Sequence, residues 1–468
     1  MIFKKLTTAY NTAKDFGFKW TAQRLFYELK LRSGHHRRRM PKRNWREAEL
    51  SHWLKKPFRE ENIFQQWLDG TPKFLYSIKD QEKIAETLQQ LYKKEPGFPN
   101  ALKRLDIHTP RYFTKLRYQV SFPDIWFTNP FLDPPVACER NLHWSSYPMY
   151  RKDYEDLKFI WEYGRFSIVF DLVRSYFVTQ DDRLPEQFWT LVESWIDHNP
   201  PHTGPHWKCG QETSLRLMAW YFGLFAFKDH PATTPERFQK FLMAVAVQAD
   251  RVSKDLNYSY LQHSNHAVSE GMGLFATALL FPQLKDAAQW KARGKAILED
   301  RVLFLIRPDG TYYQKSHNYL RFILHAYLFV LALAEVHQEE FSDQLKNRLA
   351  AALDYLKSVI DPISGKTPNY GSNDGALVLP LNSLDLTDYQ SVIAALHFYL
   401  YRERYFAPGP HQEDLVWLFG AKAVDAKHYP EAPLKVASST KYDEHGIYLL
   451  RSPQSWAFMH AESFRDRP

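Results

Sequence analysis

Gln262-His263-Ser264-Asn265-His266-Ala267-Val268-Ser269-Glu270-Gly271-Met272-Gly273-Leu274-Phe275 is the stretch that decides how this chain folds. Short polar side chains stop at His266, and apolar residues then recur at three- and four-residue spacing as far as Phe281. That is the signature of a helix start followed by a buried helix. The same grammar returns downstream. Pro308-Asp309-Gly310 and Ser316-His317-Asn318-Tyr319 lead into an apolar run that ends near Ala334. Both polar clusters therefore sit at helix N-terminal ends, where unpaired N–H groups and the helix dipole favour an anion.

Around these two helices the periodicity continues. Helical spacing covers 154–177, 186–196, 211–227, 235–256, 287–306 and 341–359, with proline-rich breaks such as Asn199-Pro200-Pro201 and Asp361-Pro362 between runs. Polar and aromatic residues concentrate in the connections before alternate helices, so closing the helix pairs into a ring would collect them at one end. The expected fold is mainly α, an (α/α) toroid of helical hairpins followed by the start of an antiparallel β-sandwich domain. A solenoid of helix pairs is the competing layout. Residues 1–110 read as a basic N-terminal helical region with amphipathic runs at 20–31 and 80–92, and residues 111–430 as the toroid, with 122–135 an extended loop. In 431–468 the runs 446–450 and 456–460 are β-prone, and 451–455 reads as a hairpin turn. Two strands are marginal in water, so the rest of a β domain is expected beyond Pro468.

Composition bounds the function. With 468 residues, 44% apolar and 16% aromatic, the chain can bury a large core, and two structural units are expected. Lys+Arg outnumber Asp+Glu by 61 to 53, a net charge of +8 that fits an anionic partner. Nucleic acid is not expected, because the run His35-His36-Arg37-Arg38-Arg39 lies outside any recognisable binding motif and reads as a solvated arm. Cys138 and Cys209 are too few for a disulfide framework and lack metal-ligand spacing, so they read as free thiols packed in the helical part. The N-terminus has early lysines but no uninterrupted apolar core, which gives no secretory signal and a cytoplasmic location by sequence, periplasmic or exported being the alternative. The apolar stretches 272–281 and 322–334 fall short of the roughly 20 residues that span a bilayer, so no membrane span is expected. Phosphate loop, zinc helix and nucleophile elbow motifs are absent from the sequence.

Several motifs in fixed order carry a resemblance. Trp207-Lys208-Cys209-Gly210-Gln211-Glu212, Asn265-His266 with Ser269-Glu270, Pro308-Asp309-Gly310 with Ser316 and Tyr319, and Pro368-Asn369-Tyr370-Gly371-Ser372-Asn373-Asp374-Gly375 together resemble the heparinase II/III family. The resemblance covers roughly residues 110 to 468. It implies a toroid followed by a β-sandwich, and a polysaccharide lyase acting on an acidic polysaccharide by β-elimination in the cleft between them. By the resemblance, Asn265 neutralises the substrate carboxylate and Tyr319 is catalytic. His266 is similar to a histidine that serves as base or carboxylate ligand in alginate-type lyases. The further β-domain histidine of heparinase III-like enzymes would lie beyond Pro468, where this chain departs from the pattern. The resemblance implies no certain cofactor, although some members hold a divalent metal near the β domain; no residue here is assigned as a metal ligand.

The chemistry can also be read from the residues. β-Elimination needs the uronate charge quenched, a base for the C5 proton and an acid for the departing O4. Asn265 and a neutral His266 can donate to the carboxylate. Tyr319, with an ordinary pKa near 10, can be activated by the helix end and by a cation such as Arg321. Glu270 shares the helix face of His266 and can orient its ring. Trp207 offers an indole for a sugar ring, Gln211 and Glu212 hydrogen-bonding groups beside it, and Asn373 an amide for a hydroxyl. Each has a structural alternative. Ser264 or Asn265 can cap a helix, His266 can be a core histidine, Tyr319 is one of 27 tyrosines, Trp207 can anchor a hairpin, and Asn373 can close a turn. Two other functions stay open: a non-catalytic acidic-polysaccharide-binding protein of exopolysaccharide synthesis or export, and a glycoside hydrolase using carboxylates among Glu162, Asp171 and Glu212. For a net-positive chain that receives a polyanion, affinity for acidic polysaccharide should fall as salt rises. Titration against salt checks this, and equal, salt-independent binding of a neutral glucan would contradict it.

Overall fold

Hydroxyl side chains start the helices that the apolar spacing builds. Thr234, Ser264, Ser316 and Ser342 each accept a hydrogen bond from a first-turn backbone N–H, satisfying donors a helix leaves unpaired. The computed structural model describes residues 17–47, 49–95, 105–113, 115–361, 363–427, 438–452 and 455–461. Most of the stretch read for a secretory signal, residues 453 and 454 of the expected hairpin turn, and the chain end at Pro468 lie outside the described residues.

The longer helices are α1 Phe18–Arg32, α2 Gln81–Leu91, α3 Ile168–Thr179, α4 Arg183–His198, α5 Gly210–Phe227, α6 Pro235–Lys254, α7 Asn265–Leu280, α8 Ala287–Leu305, α9 His317–Val336, α10 Asp343–Val359 and α11 Gln390–Tyr401, with the shorter α12 Glu413–Phe419. Helices α3, α5, α7, α9 and α11 pack each on the next in chain order, and α12 and α2 complete the circuit back to α3. Outside this ring, α4 packs on α3, α6 on α5 and α7, α8 on α7, and α10 on α11. The result is an (α/α) toroid. Every residue of inner helix α5 is buried, whereas outer helices such as α6 keep a polar face.

Helix α2 comes from the region expected to be separate, and one hydrophobic core runs from Met40 to Leu449, so a boundary at residue 110 does not divide two cores. Helices α11 and α12, which periodicity left unassigned, close the ring. The run ending near Ala334 forms a longer helix than the spacing suggested: α9 has 20 residues and is long and apolar enough to cross a membrane, yet it lies buried in the ring. Cys138 sits beside the short ladder Val136–Ala137, not in a helix, and the expected extended loop also holds the one-turn helix Asp124–Trp126.

Helix α7 is pressed unusually close to its neighbours. A methyl group added at Gly294 of α8 would lie 2.7 Å from both the Gly271 carbonyl oxygen and the Phe275 nitrogen of α7. On its other side, one added at Gly273 would lie 2.5 Å from Ser214 Oγ of α5. The absent side chains let α7 and α8 meet backbone to backbone and let Ser214 of α5 seat directly on α7, and the rigid seam fixes where α7 begins. A second departure from the sequence pattern matters for the site. The run 154–177 breaks into Lys158–Gly164 and α3 because Phe166 takes a left-handed φ of 61° and the His206 ring fills the space over Gly164.

At the same end of the ring lies a three-stranded antiparallel sheet in the order β1 Thr440–Tyr442, β2 Ile447–Arg451, β3 Trp456–His460. The first strand was not foreseen. Ile447 and Leu449 point inward and are fully buried, and the Tyr442 hydroxyl donates to Ser358 Oγ at 2.6 Å. The Phe458 ring lies 5.5 Å from His317 and 5.0 Å from Tyr370, tying the sheet to the start of α9.

Gly294→Ala tests the seam. The obstructing atoms are backbone and cannot swing away, so the variant should lose about 1–3 kcal/mol of stability in denaturant unfolding, and an unchanged midpoint would show that α7 and α8 can separate freely.

Candidate active site

The capped starts of α7 and α9 open onto one cleft of about 570 Å³, with Asn265, His266, Gln314, Tyr319 and Asp374 on its wall and Trp20 and Arg24 of α1 also bordering it. Two sequence-distant clusters thus meet. Ser264 is the cap of α7, which frees the Asn265 side chain for other work. Its Nδ2 donates to Gln211 Oε1 at 2.6 Å, and its backbone N–H donates to Gln314 Oε1 at 3.3 Å. One amide hydrogen is used to orient the group and the other remains for a ligand.

His266 Nδ1 lies 3.6 Å from Cys209 Sγ. Burial drops the imidazole to about 4, outweighing the nearby Glu212, and burial pushes the Cys209 thiol up to about 12. Both groups are uncharged at neutral pH. Imidazole nitrogen is a far better acceptor than a thiol sulfur, so we assign the contact as Sγ–H donating to Nδ1, which puts the ring proton on Nε2 and makes His266 a neutral N–H donor.

Tyr319 donates its hydroxyl to Asp374 Oδ2 at 2.6 Å. Burial, and then the bonded Asp374 carboxylate, hold the phenol well above its ordinary value, while Arg165 pulls the other way. The group keeps its proton at neutral pH and is poised as an acid. Asp374 arrives there through Gly371, whose φ of 75° lets the 368–374 loop lie against Lys315, and through Ser316, whose hydroxyl donates to the Ser372 carbonyl at 2.6 Å.

Arg165, which no motif flagged, organises the floor beside Tyr319. Its Nε and Nη2 reach the two oxygens of Glu212 at 2.6 and 3.0 Å, and Nη1 reaches Glu162 Oε2 at 2.7 Å. Burial works against the Glu212 carboxylate, but Arg165 outweighs it and keeps its pKa below the ordinary value; at Glu162 burial prevails and raises it. The available sequence signal was the charged pair Glu162 and Arg165, three apart in a run rich in apolar residues. Gln211 joins the same network, with Nε2 3.3 Å from Glu212 Oε1.

Other expected residues lie elsewhere. Trp207 is fully buried between Trp45 and Trp195, with its indole N–H donated to the Asn199 carbonyl, so no face is open to a sugar. Arg321 stacks on Tyr389 and donates to Asn318 and to the Leu386 and Asp388 carbonyls; two steps along a helix rotate it by about 200° from Tyr319. The cation facing Tyr319 is Arg165. Glu270 packs on Gly210, and burial pushes it up to about 8, so Cys209 and not Glu270 orients His266. Asn373 closes its turn by accepting from the Gly375 N–H. The hydrolase candidates are likewise spent: Glu162 and Glu212 share one guanidinium, and Asp171 pairs with Arg111 and Arg174. Among the described residues no cluster of three or more His, Cys, Asp or Glu could hold a metal ion.

A family model described as Heparinase II/III N-terminus matches residues 116–378. A heparin-sulfate lyase of Bacteroides thetaiotaomicron is 26% identical over 286 residues, 60% of this chain and 38% of that protein. A heparin-sulfate lyase of Pedobacter heparinus is 22% identical over 286 residues, 58% of this chain and 41% of that protein. The chain therefore spans about two fifths of the length of these relatives. Among solved structures, one of heparinase III aligns with a TM-score of 0.49 at 16% identity, covering 86% of this chain and 59% of that one. A mutant heparan sulfate lyase HepC of Pedobacter heparinus aligns with a TM-score of 0.47 at 16% identity, covering 87% and 60%.

Removing the Arg165 charge should leave Glu212 buried and unpaired. Arg165→Met is expected to cost about 3–5 kcal/mol in denaturant unfolding, and adding Glu212→Gln should recover part of it. Equal stability of Arg165→Met and the parent would show that the pair does not support the floor.

Proposed function

The chain belongs to the heparinase II/III family, and from its cleft we propose that it is a polysaccharide lyase, cleaving a uronate-containing acidic polysaccharide by β-elimination. One observation carries this reading: an oriented amide, a neutral imidazole N–H and a protonated phenol, brought from two distant segments, face one cleft. Hydrogen bonds from Asn265 and His266 Nε2 to the carboxylate withdraw its charge as the C5 carbanion forms, which makes the C5 proton removable. His263, whose ring rests edge-on against Phe304 at 4.9 Å on the same cleft wall, is the second imidazole there, and we assign it the C5 proton. Tyr319 gives its proton to O4 as the C4–O4 bond breaks, and the electron pair left at C5 forms the C4–C5 double bond. Arg165 stabilises negative charge arising on the phenol oxygen. The heparin-sulfate lyases among the relatives support the substrate class.

The double bond absorbs in the ultraviolet, so a panel of heparan sulfate, hyaluronan and alginate tests the reading directly. Tyr319→Phe keeps the ring and should lower turnover by about 10²–10⁴; Asn265→Ala should lower it by about 10²–10³, comparable to losing one oxyanion donor. Folded variants that produce the absorbing product at the parent rate would remove these residues from the mechanism. Salt-sensitive binding by the parent with no such product would instead favour the non-catalytic polysaccharide-binding protein.

A further inference from the structure

Helix α1 lies outside the residues matched by the family model. It nevertheless builds a second cavity. Its inner face is fixed to the short helix Leu256–Leu261: the Trp20 indole donates to the Leu261 carbonyl at 2.8 Å, and Tyr27 stacks on Tyr258 at 5.0 Å. Between the two helices runs an open groove of about 810 Å³. Trp20, Leu261 and His263 border both this groove and the cleft, so the two are neighbours across a shared wall.

The groove's chemistry suits one kind of occupant. No carboxylate lines it. Lys30 Nζ sits 4.4 Å from the centre of the Phe26 ring and forms no ion pair among the described residues. Arg301 is held between the Tyr260 and Phe304 rings, 4.7 Å from each, with adjacent Asp300 as its partner. Phe26 is 59% exposed, and Phe18, Leu25 and Leu29 of the same helix are exposed alongside it. Gln23 of α1 and Asn257 of the facing helix add amide groups. Aromatic faces match the C–H faces of sugar rings, the amides match hydroxyls, and the ammonium of Lys30 matches a carboxylate or sulfate group. A neutral sugar would leave Lys30 unused, and a purely apolar ligand would leave it desolvated.

We propose that the groove beside α1 is a distal subsite that holds the acidic polysaccharide where it runs out of the catalytic cleft. The proposal rests on the cleft being an acidic-polysaccharide site. It makes α1 a length sensor: a short oligosaccharide fills the cleft alone, and only a longer chain reaches Phe26 and Lys30.

Binding of long-chain heparin and alginate, and of a tetrasaccharide of each, separates the possibilities when measured in a Tyr319→Phe background that does not cleave them. Adding Phe26→Ala with Lys30→Ala should weaken the long chain about tenfold, the worth of one or two charge-assisted contacts, and leave the tetrasaccharide unchanged. Lys30→Glu alone should act in the same direction. An unchanged long-chain affinity in both variants, or an equal loss on the tetrasaccharide, overturns the subsite while leaving the cleft reading in place. If the protein before these changes binds no chain of either kind, the subsite and the proposed function fall together.

Discussion

The close contact of α7 with α5 and α8 is the constraint on which the rest depends. Helices normally pack at a distance set by interposed side chains. Here Gly271 and Gly294 remove them between α7 and α8, where backbone meets backbone, and Gly273 leaves room only for the small Ser214 of α5. Packing this tight transmits little slack. The first turn of α7 is therefore placed with the precision of the ring itself, and Asn265 reaches Gln211 on α5 at 2.6 Å because those two helices cannot drift apart. The functional end of the toroid inherits its geometry from a seam in the middle of the core.

Burial then decides the electrical state of each group. Water is excluded from the cleft floor, so charged forms survive only where a partner offsets the loss of solvation. Glu212 stays ionised because it holds a bidentate arginine. His266 has no such partner and becomes a neutral donor, with a thiol supplying the hydrogen bond that a carboxylate supplies in many other sites. Tyr319 retains its proton because both burial and an adjacent carboxylate oppose its loss. The cleft thus presents hydrogen-bond donors without a net buried charge from those groups.

Loops complete what the helices begin. The 368–374 segment crosses against the start of α9, and the sheet docks on the same loop through Phe458 and Tyr370. Helix α1 adds a further wall to the cleft. The loop and α1 therefore complete a site whose chemical groups come chiefly from two helix starts, and the sheet braces that loop from behind.

Much of this was legible in the sequence. Apolar spacing located most of the ring helices, because burial on all sides demands an uninterrupted apolar run, and the serines before Asn265 and Tyr319 marked helix starts because a hydroxyl satisfies unpaired N–H groups. The meeting of Asn265, His266 and Tyr319 was expected from alternation of polar connections. The closure by α2, α11 and α12 was not legible, since α12 is short and α2 is distant in sequence from the helices it joins. Nor was the break at Arg165 visible, because left-handed Phe166 and the room taken by His206 over Gly164 are set by packing between distant residues. Trp207 and Arg321 have the right chemistry for a sugar site, and only their orientation takes them out of it. Composition and spacing determine which residues become helices and which faces are apolar, since those are local properties. Which polar group faces the cleft, which cation accompanies Tyr319, and which groups keep their charge are decided by tertiary structure alone, because distance and desolvation exist only once the chain has closed.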